Sequence, residues 1–314
     1  MSLGSVHIPF KEVLKILFGQ EVVNSSWDII VMQLRLPRSI TAIVVGAGLS
    51  LAGLLMQTYF RNPMAGPSVL GISSGASLGV ALFLMGSGFF GFEIFTNTGM
   101  VVSAVIGAFV VLLLIMLLSF RLKNNLSILI IGLMLGAMTS SIVGVLSYFS
   151  TSEEIKTYVL WSLGSLGHVD WIGIVVMMVL VFLGFIFVFV KSNALNTLLV
   201  GETFAKSVGV STVQLTYLIL IITGIVVGVI TAYAGPIAFI GLAVPHMARL
   251  LLKTSDHMIL LPTVILLGSI VLLSCDLLAQ LPFYERVIPI NSVTSLIGAP
   301  VVIYLILKQK HYDF

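Results

Sequence analysis

Residues 39–59 read SITAIVVGAGLSLAGLLMQTY, a run without a charged side chain. About 20 apolar residues in a helix are enough to cross the hydrocarbon core of a bilayer. Inside lipid the backbone must satisfy its own hydrogen bonds, which restricts spanning structures to helices and closed barrels. The run therefore predicts a transmembrane helix.

Runs of the same kind recur to the end of the chain. We predict further spans at about 68–88, 99–119, 126–149, 171–190, 214–233, 259–280 and 290–307, and a shorter crossing at 238–252. The chain is 59% hydrophobic and 9% charged, whereas a soluble domain has about 25% charged residues. We therefore expect an all-α, polytopic integral membrane protein with about nine visible transmembrane helices, surrounded by membrane lipid.

The net charge of +3 does not indicate a nucleic-acid partner, because the basic residues are scattered singly among apolar runs. The single cysteine, Cys275, excludes a disulfide framework and a cysteine metal cluster. The sequence also contains no residue spacing typical of a nucleophile–base pair or of a metal site, so we expect no catalytic residues and no bound metal. An intramembrane enzyme is the weakest of the function classes.

Basic residues indicate how the chain is oriented, because cytoplasmic loops carry an excess of Lys and Arg. After the first span, Lys156 and Arg286 fall on one side. The other side, predicted to be cytoplasmic, carries Arg61, Arg121, Lys123, Lys191, Lys206, Arg249, Lys253, Lys308 and Lys310.

This orientation divides the chain into an external segment, 1–38, and a transmembrane domain, 39–314. Nothing in residues 1–38 would export that segment. We therefore expect either an earlier helix that this chain lacks or a start upstream of Met1, and we favour the missing first helix.

A short motif occurs twice. AGPSVLG at 65–71 returns as AGPIAFIG at 234–241, and each copy opens a new apolar run. On the predicted topology the copies lie on opposite faces of the membrane, as in transporters built from inverted repeats. Gly-Pro pairs are also common turn formers, so both interpretations stay open.

The sequence GISSGASLG at 71–79 is the most glycine-rich stretch. It lacks the Lys-Ser/Thr of a phosphate loop, so it predicts no nucleotide site. Its small residues favour close helix packing. Alternatively, the hydroxyls of Ser73, Ser74 and Ser77 line a pathway or its cytoplasmic gate.

Two other groups of polar residues suggest docking surfaces. The segment 193–213 has an amphipathic pattern typical of two short helices on the cytoplasmic surface, either as a connector or as a docking site for a partner. Three arginines are external on this topology, namely Arg35, Arg38 and Arg286. They serve either as anchors at the membrane interface or as partners for the carboxylates of a docking protein.

Asp276 is the acid that lies well inside an apolar run. Intramembrane acids are candidates for a function in coupling. However, Pro282 ends the apolar run six residues later, so a hydrogen-bonded structural acid is an equal alternative. His246, which follows Pro245, is expected to be structural.

Together these motifs resemble the permease subunits of ABC importers for ferric siderophores, haem or cobalamin, the FecCD-type family. The matching blocks run from Arg35 almost to the C-terminus in a specific order. They are Arg35–Arg38, Gly53–Gln57, Arg61–Ala65, Leu70–Gly75, Trp161–Ser165, Gly201–Glu202, Ala205–Gly209, Gly235–His246 and Gly298–Pro300.

The resemblance implies an inverted-repeat type II ABC importer permease with ten helices, the first of which would precede His7. It implies a second permease subunit as a homodimer, two cytoplasmic ATPases that bind ATP and Mg²⁺, and an external binding protein. Arg35, Arg38 and Arg286 would receive that protein, while the ATPase would contact Glu202, Ala205, Lys206 and Gly209.

We therefore predict a multi-pass permease of the bacterial cytoplasmic membrane that imports such a ligand and binds no cofactor itself. The alternative is an ion-coupled secondary transporter that uses Asp276. The long inner segment and the external arginines weigh against this alternative, because such a carrier needs no docked partners.

Overall fold

The computed structural model describes residues 6, 8–20, 24–86, 96–119, 125–280 and 287–308. Every regular element in these ranges is helical. The elements are α1 (Phe10–Leu17), α2 (Ser25–Ile29), a π-helical segment (Ile30–Arg35), α3 (Leu36–Phe60), a 3-10 turn (Pro67–Leu70), α4 (Ile72–Met85), α5 (Asn97–Ser119), α6 (Asn125–Phe149), α7 (Ser152–Ser162), α8 (Trp171–Val190), α9 (Ser192–Val200), α10 (Glu202–Ser207), α11 (Thr212–Ala234), α12 (Ile240–Leu252), α13 (His257–Ala279) and α14 (Ile290–Lys308).

The predicted polytopic all-α fold is confirmed. Six of these helices are long and apolar enough to cross a membrane, and three shorter apolar helices, α4, α12 and α14, lie where the remaining spans are predicted. The span predicted at 68–88 is shorter than expected. Residues 67–70 form the 3-10 turn and Gly71 is left-handed, so the α-helix begins at Ile72.

The N-terminal region is more helical than the sequence indicates. Helix runs from Ser25 through Phe60, so the first span begins well before residue 39. Pro37 does not break it, because it occupies the first turn of α3 directly after the π-helical segment. There the hydrogen-bond register changes, so the missing N–H of proline is tolerated.

Helix α1 packs on this extension rather than on the main bundle. Val13 and Ile16 are buried against Ile8 and Val31, in a small apolar cluster separate from the main core. The Arg35 guanidinium donates to the carbonyl oxygen of Val6, which ties the start of the chain to the end of the π-helical segment.

Glycines set the spacing of the main helices. A Cβ at Gly53 of α3 would lie 1.7 Å from the Gly241 carbonyl oxygen of α12, and a Cβ at Gly79 of α4 would lie 2.0 Å from the Ser103 oxygen of α5. Without side chains at these points, the helix backbones approach closely. The close packing predicted for the region 71–79 is therefore present.

The two short helices α4 and α12 begin inside the bundle. Gly71 lies against Gly132, seven residues into α6, and Gly241 lies against the Leu49 oxygen near the middle of α3. Each helix follows one copy of the Ala-Gly-Pro motif. The motif therefore marks two places, among the described residues, where the backbone is broken within the depth of the bundle.

Candidate functional site

One end of the bundle, called here the basic end, carries Arg61, Lys191, Lys206 and Lys253. Helices α9 and α10 form a hairpin at this end, within the segment 193–213. Gly201 joins the two helices with a φ of 145°. A side chain is unfavourable in that conformation, so a glycine suits the joint between them.

The hairpin presents a mixed apolar and charged surface. Phe204 and Val208 are 46% and 53% exposed. Between them, Lys206 lies 3.9 Å from Glu202 in an exposed ion pair. Ala205 is fully buried beneath this surface. Of the residues predicted to meet an ATPase, Glu202 and Lys206 thus lie toward the surface, whereas Ala205 supports the helix from below.

Gly209 ends α10 in a left-handed conformation, with φ of 83°. The Gly209 N–H donates to Lys206 O at 3.1 Å, and the Val210 N–H donates to Ala205 O at 2.9 Å. Such a glycine satisfies the last carbonyls of a helix. A Cβ at this position would meet no atom within 4 Å, so the backbone conformation is what favours glycine.

A polar pair that the sequence analysis did not identify lies beside this end. The Gln57 side chain donates to Leu242 O at 3.0 Å and accepts from the Arg249 guanidinium. Arg249 Nε and Nη2 are buried without a partner among the described residues. In the sequence, Gln57 and Arg249 are each a polar residue in an apolar run, and nothing there indicates that the two side chains meet.

At the opposite end of the bundle, Arg38 and Asp276 form an ion pair. Arg38 Nε and Nη2 lie 2.8 and 2.7 Å from Asp276 Oδ1. The side chains are 18% and 2% exposed, respectively. The Gln280 amide donates to Asp276 Oδ2 at 2.6 Å. Asp276 is therefore a hydrogen-bonded acid, one of the two alternatives that the sequence left open.

The three arginines predicted to dock a binding protein have different settings. Arg35 is half-buried and holds Val6 O. Arg38 faces Asp276, in the pair just described. Arg286 lies outside the described residues. Their docking role stays a prediction, and the buried pair with Asp276 weighs against Arg38 as a docking residue.

The serines predicted to line a pathway lie between helices. Ser73 Oγ is 3.2 Å from Thr231 Oγ1 of α11. Ser74 faces Gly136 of α6, and Ser77 hydrogen-bonds Tyr158 of α7. All three are part-buried in this arrangement. These contacts agree with the packing interpretation and leave the gating interpretation a prediction.

Helix α6 has an unpartnered face that the sequence analysis did not identify. It is the least buried of the six long spans. Ala137, Ser140, Ser141 and Gly144 are exposed along one side, and a Cβ at Gly144 would meet no atom within 4 Å. Hydroxyls and glycine gain little from contact with lipid tails. This face is therefore suited to a second protein surface or to an aqueous path.

The structure offers no metal site in the described ranges, since no three His, Cys, Asp or Glu side chains cluster there. Cys275 is a free, buried thiol.

The chain is similar to permeases of known importers. It is 38% identical over 283 residues to the vitamin B12 import system permease protein BtuC of Salmonella typhi, covering 90% of this chain and 85% of the relative. The corresponding protein of Klebsiella pneumoniae is 35% identical over 291 residues, covering 92% and 86%.

Solved structures give the same result. A structure described as an inward-facing conformation of a metal-chelate type ABC transporter matches with a TM-score of 0.83 at 34% identity, over 92% of this chain and 90% of that chain. PsaBC from Streptococcus pneumoniae, solved in complex with Fab, matches with a TM-score of 0.60 at 17% identity, over 93% of this chain and 95% of that chain, and shares the fold.

The profile of the FecCD transport family matches residues 1–308. The chain therefore belongs to the FecCD transport family and is an ABC importer permease of the bacterial inner membrane.

Proposed function

We propose that two copies of this chain form the membrane path of an importer for a ferric siderophore, haem or a cobalamin-like ligand. Two ATPases seat on the basic ends, bind ATP and Mg²⁺, and supply the energy. An external binding protein delivers the ligand to the opposite ends. The chain itself binds no cofactor and catalyses no covalent step.

The observation that carries this proposal is the exposed α9–α10 hairpin. Phe204 and Val208 expose apolar surface beside the Glu202–Lys206 pair, at the end with the basic loops. Loops rich in Lys and Arg remain in the cytoplasm. Apolar patches rimmed by polar residues are typical of protein interfaces. A cytoplasmic ATPase is the partner that an ABC permease requires at such a surface.

The proposed ligand class follows from the relatives and from the face of α6. The relatives named above include vitamin B12 permeases and a metal-chelate type transporter. On α6, Ala137, Ser140, Ser141 and Gly144 present small or hydroxyl groups without charge, and the exposed Leu133 and Tyr148 lie one turn away on the same side. A path lined by such groups suits a large, polar, neutral or weakly charged chelate.

Reconstitution tests the proposal directly. Proteoliposomes should contain this chain, its ATPase and its binding protein, with ATP on the ATPase side. We expect ATP-dependent uptake of at least one of radiolabelled cyanocobalamin, haem or a ferric hydroxamate. An ATPase variant without its catalytic glutamate is the matched control. Uptake that is independent of ATP would contradict the proposal.

Arg35 provides the test for docking at the opposite end. Charge reversal by Arg35→Glu should weaken capture of the loaded binding protein, because a carboxylate would face the partner's acidic side chains. Lys11→Glu, a reversal on the exposed face of α1, is the control. Equal capture by the Arg35→Glu variant and the parent chain would remove Arg35 from the docking surface.

An ion-coupled carrier that uses Asp276 is the alternative. The Arg38 pair weighs against it, because a coupling acid must gain and lose its ion during the cycle, whereas Asp276 has a fixed cationic partner. Uptake that persists without the ATPase, and is abolished by an ionophore and by Asp276→Asn, would establish the alternative.

A further inference from the structure

A buried polar cluster joins three helices at the basic end. His257, at the start of α13, is fully buried. Its Nε2 lies 2.7 Å from Thr58 Oγ1 of α3, and its Nδ1 lies 2.7 Å from Asn196 Oδ1 of α9. The Asn196 amide nitrogen donates to Asp256 Oδ1 at 2.8 Å. We call Thr58, Asn196, Asp256 and His257 the basic-end clamp.

The hydrogen-bond roles in the clamp follow from its chemistry. An ionised carboxylate only accepts, so the amide nitrogen of Asn196 must face Asp256 and its oxygen must face His257. Asn196 Oδ1 then accepts from the His257 backbone N–H at 2.9 Å as well as from Nδ1. The hydrogen bond from Asn196, followed by that from the Met258 N–H, lowers the pKa of Asp256 and keeps it ionised. Asn196 therefore uses both of its polar atoms to bind the start of α13.

Helices α3 and α13, which the clamp joins at one end, are locked to each other along their length. At the opposite end Arg38 of α3 pairs with Asp276 of α13. Between the ends, Ser269 Oγ donates to Ile43 O at 2.9 Å, and a Cβ at Gly46 would lie 2.3 Å from the Gly268 oxygen. Close-packed helices with polar contacts at both ends move together, because a packed core does not deform continuously.

The clamp also reaches the surface proposed for the ATPase. Asn196 lies in the middle of α9, which continues through Gly201 into α10 and packs on it. A displacement of α10 should therefore move α9. Through the clamp, α9 should in turn move the end of α3 and the start of α13. Since the α3–α13 pair extends to Arg38, the same displacement reaches the opposite end of the bundle.

We infer that Asn196 is a positioning residue that links the ATPase-facing hairpin to the α3–α13 pair, so that ATP-driven movement of the hairpin reaches the external end. This inference rests on the proposed function, since it requires an ATPase seated on α10. Asn196 acts through its hydrogen bonds to Asp256 and His257. Its contribution is to couple hydrolysis to uptake.

Charge substitutions at Asn196 test the link. Asn196→Asp places two carboxylates against each other at the Asp256 contact, which repels them. We expect ATP hydrolysis to continue while uptake per ATP falls at least about five-fold, the lower limit typical of coupled sites. Asn97→Asp makes the same change at the start of α5, outside the hairpin, where the side chain is exposed and makes no hydrogen bond to the described residues, so coupling should be unchanged.

An exchange of the two side chains should restore the link. In Asn196→Asp with Asp256→Asn, the new carboxylate can accept from both His257 N–H groups and from the new amide, so the hydrogen bonds are rebuilt. We expect this double variant to recover most of the coupling. Asn196→Ala, which removes the bonds without repulsion, should lose coupling in the same direction. Parent-like coupling of both single variants, or failure of the exchange to restore it, would overturn the inference.

A distance measurement separates this inference from the proposed function. In a Cys275→Ala background, nitroxides at Ser207→Cys of α10 and Leu266→Cys of α13 report how firmly the hairpin is held. The chain with its ATPase should give a narrow distance distribution, Asn196→Asp a broad one, and the exchanged variant a narrow one. Identical distributions in all three would refute the clamp, whatever ligand the importer carries. Absence of ATP-dependent uptake with the parent chain would refute the proposed function alone.

Discussion

At the scale of single residues, the functional chemistry of this chain consists of a few polar contacts inside an apolar bundle. The acid at position 276 illustrates this. Its sequence context allows either a coupling site or a structural acid, and the structure gives it two donors, Arg38 and Gln280. The sequence could not decide this, because Arg38 and Asp276 are 238 residues apart and meet only when α3 and α13 pack together.

Removing one member of this pair should destabilise the fold. Asp276→Ala leaves the Arg38 charge without its partner, and breaking a buried pair in this way costs about 3–5 kcal/mol. We expect a markedly lower midpoint in thermal unfolding of the detergent-solubilised protein. The double variant Arg38→Met with Asp276→Leu should regain much of the loss, because it removes both charges. A midpoint for Asp276→Ala equal to that of the parent chain would contradict this account.

The acid at position 256 predicts a pH dependence with a definite sign. Hydrogen bonds from Asn196 and from the Met258 N–H lower the pKa of Asp256 below its ordinary value of 3.8 in the folded protein. A lowered pKa adds stability that is present above the ordinary pKa and is lost as the pH falls through the folded value. The stability difference between the parent chain and Asp256→Asn should therefore be constant near neutral pH and should shrink only in strong acid. Unfolding midpoints measured across this range check it.

At the scale of helices, the sequence predicts most of the architecture. Long apolar runs are unambiguous because the bilayer requires about 20 residues per span. The boundaries that differ lie at special backbone positions. The π-helical segment before Pro37 extends the first span, and left-handed Gly71 shortens the second. Hydropathy is insensitive to both, since neither changes the apolar content of the run.

Contacts between helices predict which glycines are essential. At Gly53 an added Cβ would overlap the Gly241 backbone oxygen, whereas at Gly144 it would meet no atom within 4 Å. Gly53→Ala should therefore force α3 and α12 apart and lower the yield of folded, monodisperse protein. Gly144→Ala should leave the yield of the single chain unchanged. Equal yields for both variants would contradict the packing at Gly53.

The turn after α10 predicts an effect on coupling. Gly209 has a φ of 83°, and a Cβ there would have no atom within 4 Å. A substitution would therefore strain the backbone but would not cause a steric clash. A β-branched residue is poorly tolerated there, at a cost of roughly 1–2 kcal/mol, whereas Asn visits this region more readily. Gly209→Val should lower uptake per ATP hydrolysed, and Gly209→Asn should retain most of it. Normal coupling of the Val variant would show that this turn does not position α10.

At the scale of the whole molecule, the described helices leave one side of the bundle uncovered at α6. Its core is built around α3, which contacts α12, α13, α11 and α8, while α6 lies at the side with much of its surface uncovered. The composition of the sequence identifies α6 only as another span. Packing of the other described helices leaves its exposed Ser140, Ser141 and Gly144 without a contact from another helix, and Ser141 Oγ donates only to Ala137 O of the same helix. In the dimer proposed above, a second copy that faces this side would enclose a path between the two chains.

Thiol accessibility tests that assembly. In a Cys275→Ala background, Ser141→Cys on the small-residue face of α6 should react with a charged, membrane-impermeant methanethiosulfonate, because an aqueous path maintains the reactive thiolate. Phe182→Cys on α8 is 61% exposed in the chain but has no such neighbours, and it should face lipid and remain unmodified. Adding the transported ligand with its binding protein should slow the reaction at position 141. Equal protection of both positions in the assembled complex would exclude the face of α6 from an aqueous path.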